Sequence, residues 1–374
     1  MLDEITRAVL SRDEIAKYLE DAHGESGREA RERIQEYLEE LRTTQRYSMY
    51  KALKHPFKML LRNVERIGEN LDAARAATRG GRVVYVSNHR SHFDYLVEPL
   101  VLDDNGVRPP VIAAGVNVLG GPLGLLWRHV AGAMPIRRNS RDAVYLMTLK
   151  AYVAELLRKQ DLFFFPEGGR SYSGELKPPK TGLLNAALQA QHPDLRILPT
   201  AVSYDLVIED HVLARQRVKR GQRPFSRELA EIARFAVGYK SRAFVTFGAP
   251  ISVDGVDPNS RSSVLAFARM IMKTVGRLYK VLPTALVAAA MRPSITRRDL
   301  EQSTSALIDT LGSCGANLGV TSGPEAVDAA IEPLEWRGII VVEDGRLRVR
   351  DRNVLRYYAR SLDHLLESPS RHTH

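Results

Sequence analysis

Apolar and polar positions follow a helical rhythm at the start of the chain. Between residues 1 and 75, apolar side chains recur three or four positions apart, as at Ile34, Leu38 and Leu41. This spacing places them on one face of a helix, and the abundance of Glu, Arg, Leu and Ala favours helix as well. The pattern predicts an N-terminal helical region over residues 1–75.

The pattern changes between residues 82 and 256, where short apolar runs alternate with helical stretches. The runs are VVYVS at 83–87, VIAAG at 111–115, LFFFP at 162–166, RILPTAVSY at 196–204 and AFVTFG at 243–248. Runs this apolar are typical of strands covered on both faces, and the intervening stretches can serve as crossover helices. The sequence therefore predicts an α/β core over residues 76–291.

The pattern in the last part of the chain, after about residue 260, indicates a long helix and then a smaller structural unit. A helix is expected from about Ser260 to Tyr279, and two more helices follow it. In VVEDGRLRVR at 341–350, the dipeptide Asp344-Gly345 between two strand-like runs indicates a type I′ turn. We expect residues 292–374 to form a small helical, winged domain with a β-hairpin and a final helix.

Charge narrows the possible partners. The 374 residues include 54 Lys and Arg against 44 Asp and Glu, a net charge of +10. Such a surface attracts nucleic acid, acidic lipid headgroups, phosphorylated substrates or CoA, although ordinary solubility charge explains it equally well. The one cysteine, Cys314, excludes an intrachain disulfide and fits a reducing compartment.

One long uncharged stretch, residues 109–127, bears on membrane attachment. Glycines and prolines interrupt it, so it does not predict a transmembrane helix. It either lines an acyl channel or dips into the bilayer, or it is an ordinary strand, loop and helix. The opening MLDEITRAVLSRDEI lacks the apolar centre of a secretory signal. We expect a protein at the cytoplasmic face of the cell membrane, peripheral or partly embedded.

The segment SNHRSHFDY places a histidine and an aspartate directly after the strand predicted at 83–87. His89 and Asp94 are five residues apart, which on one continuous helix would separate them by about 140°. They can meet only if a strand-to-helix turn lies between them, and active sites of α/β folds gather at such turns. A histidine held by a carboxylate can act as a general base. The alternatives are a structural histidine and a metal site that includes His92.

Two further clusters, GAMPIRRNS and FFFPEGGRSYSG, follow apolar runs and contain groups that bind phosphate. With the lysine of PPKTG, the candidates are Arg137, Arg138, Glu167, Gly168, Gly169, Arg170 and Lys180. Adjacent glycines let the backbone approach a ligand closely, and arginine binds phosphate in a bidentate manner. Taken singly, each arginine is better explained as surface charge. A P-loop nucleotide site is not predicted, because no G-x-x-x-x-G-K-[ST] sequence occurs.

The order NHRSHFD, GAMPIRR, FPEGGRS, ILPTAVSYD resembles the four motifs of the glycerolipid acyltransferases. HRSHFDY, AAGVN, GAMPIRR, PEGGRS, PPKTG and FGAPISV are most similar to the glycerol-3-phosphate acyltransferase branch of the bacterial, membrane-associated kind. The resemblance extends over about residues 80–256, and more loosely to RYYARSLDHLL. It implies a core with a mixed, mostly parallel sheet flanked by helices.

The resemblance also implies a role for each matching residue. His89 would be the general base and Asp94 its orienting partner. The substrate-binding positions would be Arg137, Arg138, Glu167, Gly168, Arg170 and Lys180. The supporting positions would be Gly132, Ile136, Ser171, Tyr172 and Pro199. Neither a metal nor a cofactor is implied, since acyl-CoA or acyl-carrier protein enters as a co-substrate.

Two positions depart from that branch. Tyr172 stands where a second arginine is often found, and Pro135 replaces an aromatic residue. We expect transfer of a fatty-acyl group to the C1 hydroxyl of glycerol 3-phosphate, giving lysophosphatidate, at an anionic membrane surface. Lysophosphatidate and dihydroxyacetone phosphate are the alternative acceptors.

A winged domain in a basic chain leaves DNA binding as an alternative from another class. The candidate wing GRLRVR has three arginines, but the candidate recognition helix PEAVDAAIEPLEWRG has four acidic residues and one basic residue. Acidic side chains repel phosphates, so no nucleic-acid partner is expected and packing on the core explains the domain better. An inactive scaffold is disfavoured because His89, Asp94, Glu167 and Arg170 are all present.

Overall fold

The computed structural model describes residues 4–22, 24–45, 47–116, 132–215 and 239–366, without the side chains of residues 24–26, 53, 54, 56, 57, 59 and 60. The N-terminal helices are α1 (Glu4–Leu10), α2 (Asp13–Asp21), α3 (Gly24–Leu41) and α4 (Tyr47–Leu60). In α3, the apolar positions Ile34, Leu38 and Leu41 are buried in the core. The helices predicted from the spacing of apolar residues are confirmed over these four elements.

Among the described residues, eight strands form the main sheet. They are β1 (Val64–Glu69), β2 (Arg82–Ser87), β3 (Val111–Gly115), β4 (Ala133–Ile136), β5 (Leu162–Phe164), β6 (Leu195–Tyr204), β7 (Ser241–Phe247) and β8 (Ile251–Ser252). The order is β1-β7-β6-β2-β5-β3-β4, and β8 also pairs with β6. All pairs are parallel except those of β6 with β7 and with β8. The α/β fold with a mixed, mostly parallel sheet is confirmed.

The expectation of helix throughout residues 1–75 is wrong at Val64–Glu69. This segment, VERIGE, is the edge strand β1, which pairs in parallel with β7. An edge strand has one neighbour, and most side chains of β1 are only half-buried. Its sequence therefore lacks the apolar run that is typical of a central strand. The limits of the three predicted regions, at 75/76 and 291/292, stay predictions.

Helices cover both faces of the sheet. They are α5 (Leu71–Arg79), α6 (Asp94–Asp104), α7 (Ala143–Leu157), α8 (Gly182–Gln189), α9 (Asp210–Arg215) and α10 (Arg261–Leu278). In the central strand β2, Val83 and Tyr85 belong to one hydrophobic cluster, and Val84 and Val86 belong to the other. Because side chains of a strand alternate between faces, burial on both sides accounts for its unbroken apolar sequence.

Pro199 lies inside the central strand β6, where proline is uncommon because it cannot donate to the sheet. At this point β6 changes its antiparallel neighbour: residues 196 and 197 pair with β8, and residues 200–204 pair with β7. The chain leaves the sheet between β7 and β8 at Gly248, whose N–H donates to the carbonyl oxygen of Pro199 at 2.8 Å. The proline therefore marks the change of neighbouring strand.

The C-terminal unit has the arrangement of a winged helix. Its elements are α11 (Pro283–Ala290), β10 (Ser294–Thr296), α12 (Arg297–Ser313), α13 (Gly323–Trp336), β12 (Ile340–Glu343), β13 (Arg346–Val349), α14 (Arg352–Ala359), a 3₁₀ turn (Arg360–Leu362) and α15 (Asp363–Leu366). The short strands β9 (Lys280–Val281) and β11 (Asn317–Leu318) pair with each other. Strands β10, β13 and β12 form an antiparallel sheet. The predicted hairpin is confirmed, since Asp344 and Gly345 both have positive φ angles, 52° and 70°, as a type I′ turn requires.

This unit is packed firmly on the core. Arg337 and Asp210, both buried, form a bidentate ion pair, and the hydroxyl of Tyr358 donates to Oδ2 of Asp210 at 2.7 Å. Leu334 and Val354 share a hydrophobic cluster with the core strands. The C-terminal elements therefore support the segment that follows β6.

In the described part of the chain, no helix combines the length and the apolar character needed to cross a membrane. Of the uncharged stretch at 109–127, residues 111–115 form β3. Residues 117–127 lie outside the described residues. The suggestion that this stretch lines an acyl channel or enters the bilayer stays a prediction.

Candidate active site

The turn between β2 and α6, residues 88–93, carries the predicted catalytic histidine and is called the catalytic turn below. β2 ends at Ser87 and α6 begins at Asp94, so the turn lies between His89 and Asp94, as the sequence predicts. Nδ1 of His89 lies 2.9 Å from Oδ2 of Asp94, and both side chains are buried. The strand-to-helix turn thus brings together two residues that one continuous helix would separate.

Several donors besides the imidazole hold Asp94. Its Oδ2 accepts the backbone N–H groups of Arg90 at 2.7 Å and Ser91 at 2.9 Å, and its Oδ1 accepts the hydroxyl of Tyr204 at 2.6 Å. Asp94 also lies at the N-terminus of α6, the positive end of the helix dipole. Burial raises the pKa of Asp94 to about 6 and the hydrogen bonds oppose that rise. The carboxyl group is therefore ionised at neutral pH.

His89 has the protonation state of a general base. Burial lowers the pKa of His89 well below its usual range, and the charges of Arg170 and Arg138 lower it further. Because ionised Asp94 accepts a hydrogen bond from the ring, the proton of the neutral imidazole lies on Nδ1 and the lone pair on Nε2. Within the described residues, Nε2 makes no hydrogen bond to protein. A substrate hydroxyl can donate to it.

Two aromatic rings hold the imidazole in place. Phe165 stacks on His89 with ring centroids 4.2 Å apart and planes 12° apart, and Tyr95 contacts it edge-on at 5.2 Å. Both rings are buried. Packing on two sides restricts rotation of His89 and so maintains its hydrogen bond to Asp94.

Glu167 joins the catalytic turn to the loop after β5. Its Oε1 accepts the backbone N–H of His89 at 2.8 Å, and its Oε2 accepts the backbone N–H of Lys177 at 3.1 Å. Both carboxylate oxygens are thus engaged by the backbone, and burial raises the pKa of Glu167. This geometry favours a role in shaping the loop. The predicted role in positioning the acceptor stays a prediction.

The rest of this loop packs against the same turn. The N–H of Ser171 donates to the carbonyl oxygen of His89 at 3.0 Å. Gly168 has a φ of +68°, and a Cβ there would lie 2.7 Å from Cδ of Lys180. The backbone angle favours glycine at this position, and a larger residue would also displace the exposed end of the lysine side chain. Tyr172, half-buried, packs against the core.

Basic side chains surround the imidazole. Arg138, Arg170 and Lys177 all lie close enough to lower the pKa of His89. Arg170 is buried, whereas Arg138 and Lys177 are partly accessible. Nζ of Lys177 donates to the carbonyl oxygens of Gly169 at 2.7 Å and Arg170 at 2.8 Å. Positive charge beside a proton acceptor suits an anionic substrate that carries a hydroxyl group.

The two adjacent arginines of GAMPIRR have different surroundings. Arg138 lies beside the site, since a Cβ on Gly115 would be 2.7 Å from its Nε and a Cβ on Gly169 would be 3.6 Å from its Nη1. Arg137 instead forms a bidentate pair with Glu40 of α3, with Nε 2.9 Å from each carboxylate oxygen. The structure therefore brings Arg138, and not Arg137, to the catalytic turn. Successive residues of an extended chain point to opposite sides.

The remaining predicted positions lie around this centre. Lys180 is exposed, and its Nζ donates to Oδ1 of Asn139 at 2.8 Å. Gly132 has a φ of +80° directly before β4, and Ile136 at the end of β4 packs on the core. Pro199 marks the change of neighbours along β6. Gly132, Ile136 and Pro199 therefore shape the strands around the site.

Reasoning from the sequence missed three buried polar residues of the site. The side-chain amide of Asn88 pairs with both backbone groups of Val202, at 2.8 and 2.9 Å. Tyr204 binds Asp94, and Glu209 binds the catalytic turn. Tyr204 ends an apolar run and Glu209 follows it closely. Polar residues directly after a predicted buried strand also drew attention to His89, so the same criterion applied to YDLVIED would have identified Tyr204 and Glu209.

A metal centre was the rival interpretation of this cluster. In the described ranges, no group of three or more His, Cys, Asp or Glu is placed to hold a metal ion. The Oδ2 atom of Asp94 accepts two backbone N–H groups as well as the ring of His89. The arrangement has the geometry of a base and its orienting carboxylate.

Comparison with known proteins finds one matching family model and several similar curated proteins. Residues 63–203 match the family model described as Acyltransferase. The chain is 32% identical over 333 residues to the glycerol-3-phosphate acyltransferase of Actinobacillus succinogenes, covering 79% of this chain and 40% of that protein. It is 30% identical over 343 residues to the glycerol-3-phosphate acyltransferase of Pasteurella multocida, covering 81% of this chain and 42% of that protein.

The matched region begins one residue before β1 and includes the catalytic turn, so it agrees with the motifs from which the resemblance was inferred. The chain spans about 40% of the length of these curated relatives. The chain therefore contains an acyltransferase domain at residues 63–203, and about four fifths of its length is similar to glycerol-3-phosphate acyltransferases.

Proposed function

We propose that the protein is a glycerol-3-phosphate 1-O-acyltransferase. The observation that carries this proposal is the buried His89–Asp94 pair, whose Nε2 makes no hydrogen bond to protein within the described residues, beside Arg138, Arg170 and Lys177. A proton acceptor next to cationic groups fits an acceptor that has both a hydroxyl and a phosphate. The names of the similar proteins support the same acceptor.

The proposed reaction uses the imidazole twice. Nε2 of His89 takes the proton of the C1 hydroxyl while its oxygen bonds to the carbonyl carbon of the thioester. The tetrahedral intermediate collapses, the C–S bond breaks, and the imidazolium returns the proton to the leaving thiolate. Asp94 stabilises the imidazolium, and the basic side chains hold the phosphate so that one hydroxyl meets the base at high effective concentration.

The proposed donor is acyl-CoA or acyl-carrier protein, and the proposed site of action is the cytoplasmic face of an anionic membrane. The net charge of +10 supports attraction to acidic headgroups. Flotation with neutral and with phosphatidylglycerol-containing vesicles, at low and high salt, tests this attachment. Binding that is indifferent to lipid charge and salt would contradict it.

We propose no nucleic-acid partner for the winged unit. The helix in the recognition position, α13, exposes Glu325, Asp328, Glu332 and Glu335 to solvent. In the wing, Arg348 lies 3.6 Å from carboxylates of Glu343 and Asp344. Salt-dependent retention on DNA would contradict this proposal.

Acyl transfer by the purified protein tests the main proposal. Palmitoyl-CoA is supplied with glycerol 3-phosphate, dihydroxyacetone phosphate or lysophosphatidate in parallel. We expect glycerol 3-phosphate to be acylated, and His89→Ala to lose about 10²–10⁴-fold in rate because the general base is removed. His192→Ala is the matched control, since His192 precedes β6 at the opposite end of the sheet.

Three outcomes separate the possibilities. Preference for another acceptor would keep the chemistry and replace the substrate, with Tyr172 as the departure to examine. Substantial activity in folded His89→Ala protein would refute the mechanism. Absence of transfer with palmitoyl-CoA leads to the same panel with palmitoyl-acyl-carrier protein, and no transfer there would refute the proposed activity.

A further inference from the structure

The segment that follows β6 contributes a buried carboxylate to the surroundings of the site. Glu209 is 2% exposed, and it lies five residues beyond the end of β6 at Tyr204. Its Oε2 accepts the hydroxyl of Ser91 at 2.7 Å, and its Oε1 accepts the backbone N–H of His92 at 2.8 Å. Both donors belong to the turn that carries His89.

The same carboxylate also pairs with a basic residue of the neighbouring loop. Nη1 of Arg170 lies 3.5 Å from Oε1 of Glu209, and both side chains are almost completely buried. Arg170 follows β5, and the catalytic turn follows β2. Glu209 therefore links two loops that are far apart in the sequence. One of them holds the proton acceptor, and the other holds a candidate phosphate ligand.

The position of Glu209 is itself fixed from outside the acyltransferase domain. The next residue, Asp210, forms the buried bidentate pair with Arg337 of the C-terminal unit. The hydroxyl of Tyr358 donates to Asp210 at 2.7 Å and accepts the backbone N–H of Val207 at 2.9 Å. The segment from Val207 to Asp210 is thus held on one side by the C-terminal unit and holds the catalytic turn on the other.

We propose that Glu209 is a positioning residue for acyl transfer, which fixes Arg170 relative to the turn that carries His89. The proposal rests on the proposed function, because it gives Arg170 the role of binding the acceptor phosphate. Glu209 touches neither reacting group and acts through Arg170 and the turn. The two carboxylate oxygens of Glu209 accept from the hydroxyl and the N–H, and one of them also pairs with the guanidinium.

The perturbation that tests the proposal is Glu209→Gln, which keeps the shape and removes the charge. One end of the amide becomes a donor that faces other donors, so Arg170 loses its fixed distance from the turn. We expect the KM for the acceptor to rise about tenfold and kcat to fall, because the phosphate no longer aligns the hydroxyl with the base. The KM for the acyl donor should stay within about twofold of the wild-type value.

A control variant distinguishes positioning from loss of a buried charge in general. Glu155 of α7 is 5% exposed and accepts from Nη1 of the half-buried Arg12 at 2.9 Å. It lies near the end of α7 that leads into β5, at the opposite end of the sheet from the turn that carries His89. Glu155→Gln should lower the melting temperature without a change in the acceptor KM. An equal rise of the acceptor KM in both variants would overturn the proposal.

A double-mutant cycle tests the path of action. In an Arg170→Met background, Glu209→Gln should change the acceptor KM by less than about twofold, because the residue through which it acts is gone. Full, independent effects of the two substitutions would overturn the proposal, as would an unchanged acceptor KM in Glu209→Gln alone. If Glu209→Gln does not fold, Arg337→Lys, which loosens the anchor of Asp210, must show the same selective rise of the acceptor KM.

The cycle is measured with whichever acceptor the wild-type protein acylates. A wild-type protein that prefers an acceptor other than glycerol 3-phosphate therefore corrects the proposed function and leaves the role of Glu209 to be decided by the cycle. If the wild-type protein acylates glycerol 3-phosphate but the two substitutions act independently, the proposed function stands and the proposed role of Glu209 is refuted. The two failures are thus distinguishable.

Discussion

Removal of the Tyr204 hydroxyl should move the pH dependence of acyl transfer. The hydroxyl donates to Oδ1 of Asp94 at 2.6 Å inside the core, and its hydrogen bond is the largest influence that lowers the pKa of Asp94 against the effect of burial. Tyr204→Phe removes that donor and leaves the ring in place. The ionised form of Asp94 then loses stabilisation, so the pKa of this carboxyl rises.

The size of the shift follows from the strength of the bond. A hydrogen bond to a charged group contributes about 1.5–3 kcal/mol, and one pKa unit corresponds to about 1.36 kcal/mol. The pKa of Asp94, about 6 in the wild-type protein, should therefore rise by about one to two units. At pH 7 the ionised fraction falls, and the rate should fall about two- to tenfold. At pH 9 most of the rate should return.

The assay is the pH profile of kcat/KM between pH 5 and pH 9 for both proteins. Since His89 and Asp94 share a hydrogen bond, the acid limb reports protonation of the pair, and it should move to higher pH in the variant. Tyr152→Phe is the matched control, because this buried tyrosine accepts a backbone N–H from Thr43 away from the site. A uniform loss at all pH values, with no movement of the acid limb, would refute the reasoning.

Stability provides an independent check of the sign. Because the folded-state pKa of Asp94 is raised above its unfolded value, its contribution to stability is present at low pH and is lost as the pH rises through about 6. Tyr204→Phe raises the folded-state pKa further. The melting temperature of the variant should thus fall further below that of the wild-type protein at pH 8 than at pH 5.

Two further predictions follow from the surroundings of the site. Gly174→Ala should destabilise the protein by about 2 kcal/mol or more, since Gly174 has a φ of +89° and a Cβ there would overlap the carbonyl oxygen of Tyr357. A melting temperature equal to that of the wild-type protein would contradict the packing of α14 on this loop. Arg138→Met should raise the acceptor KM about tenfold, whereas Arg137→Met, which breaks a pair with Glu40, should mainly lower stability. Steady-state kinetics with varied acceptor decides this, and equal KM values for the two variants would contradict the assigned orientation of the arginines.

The sequence by itself determined the elements whose signals are local. The apolar runs identified strands β2, β3, β5, β6 and β7, because strands buried on both faces need apolar side chains at every position. The contact between His89 and Asp94, the proposed catalytic pair, could also be predicted, since both lie at one strand-to-helix turn and such turns are recognisable in the sequence. The hairpin at Asp344-Gly345 follows from the backbone angles that this dipeptide favours.

The tertiary structure alone decided the contacts that join distant segments. VERIGE was predicted as part of a helical region, and it is a strand because it pairs with the edge of β7. Arg137 and Arg138 are the same residue type at adjacent positions. Only the tertiary structure shows that Arg137 pairs with Glu40 of α3, whereas Arg138 lies beside the loop after β5. Tyr204 binds Asp94 across 110 positions of sequence. Periodicity reports which face of an element is buried, and it carries no information about which partner lies there.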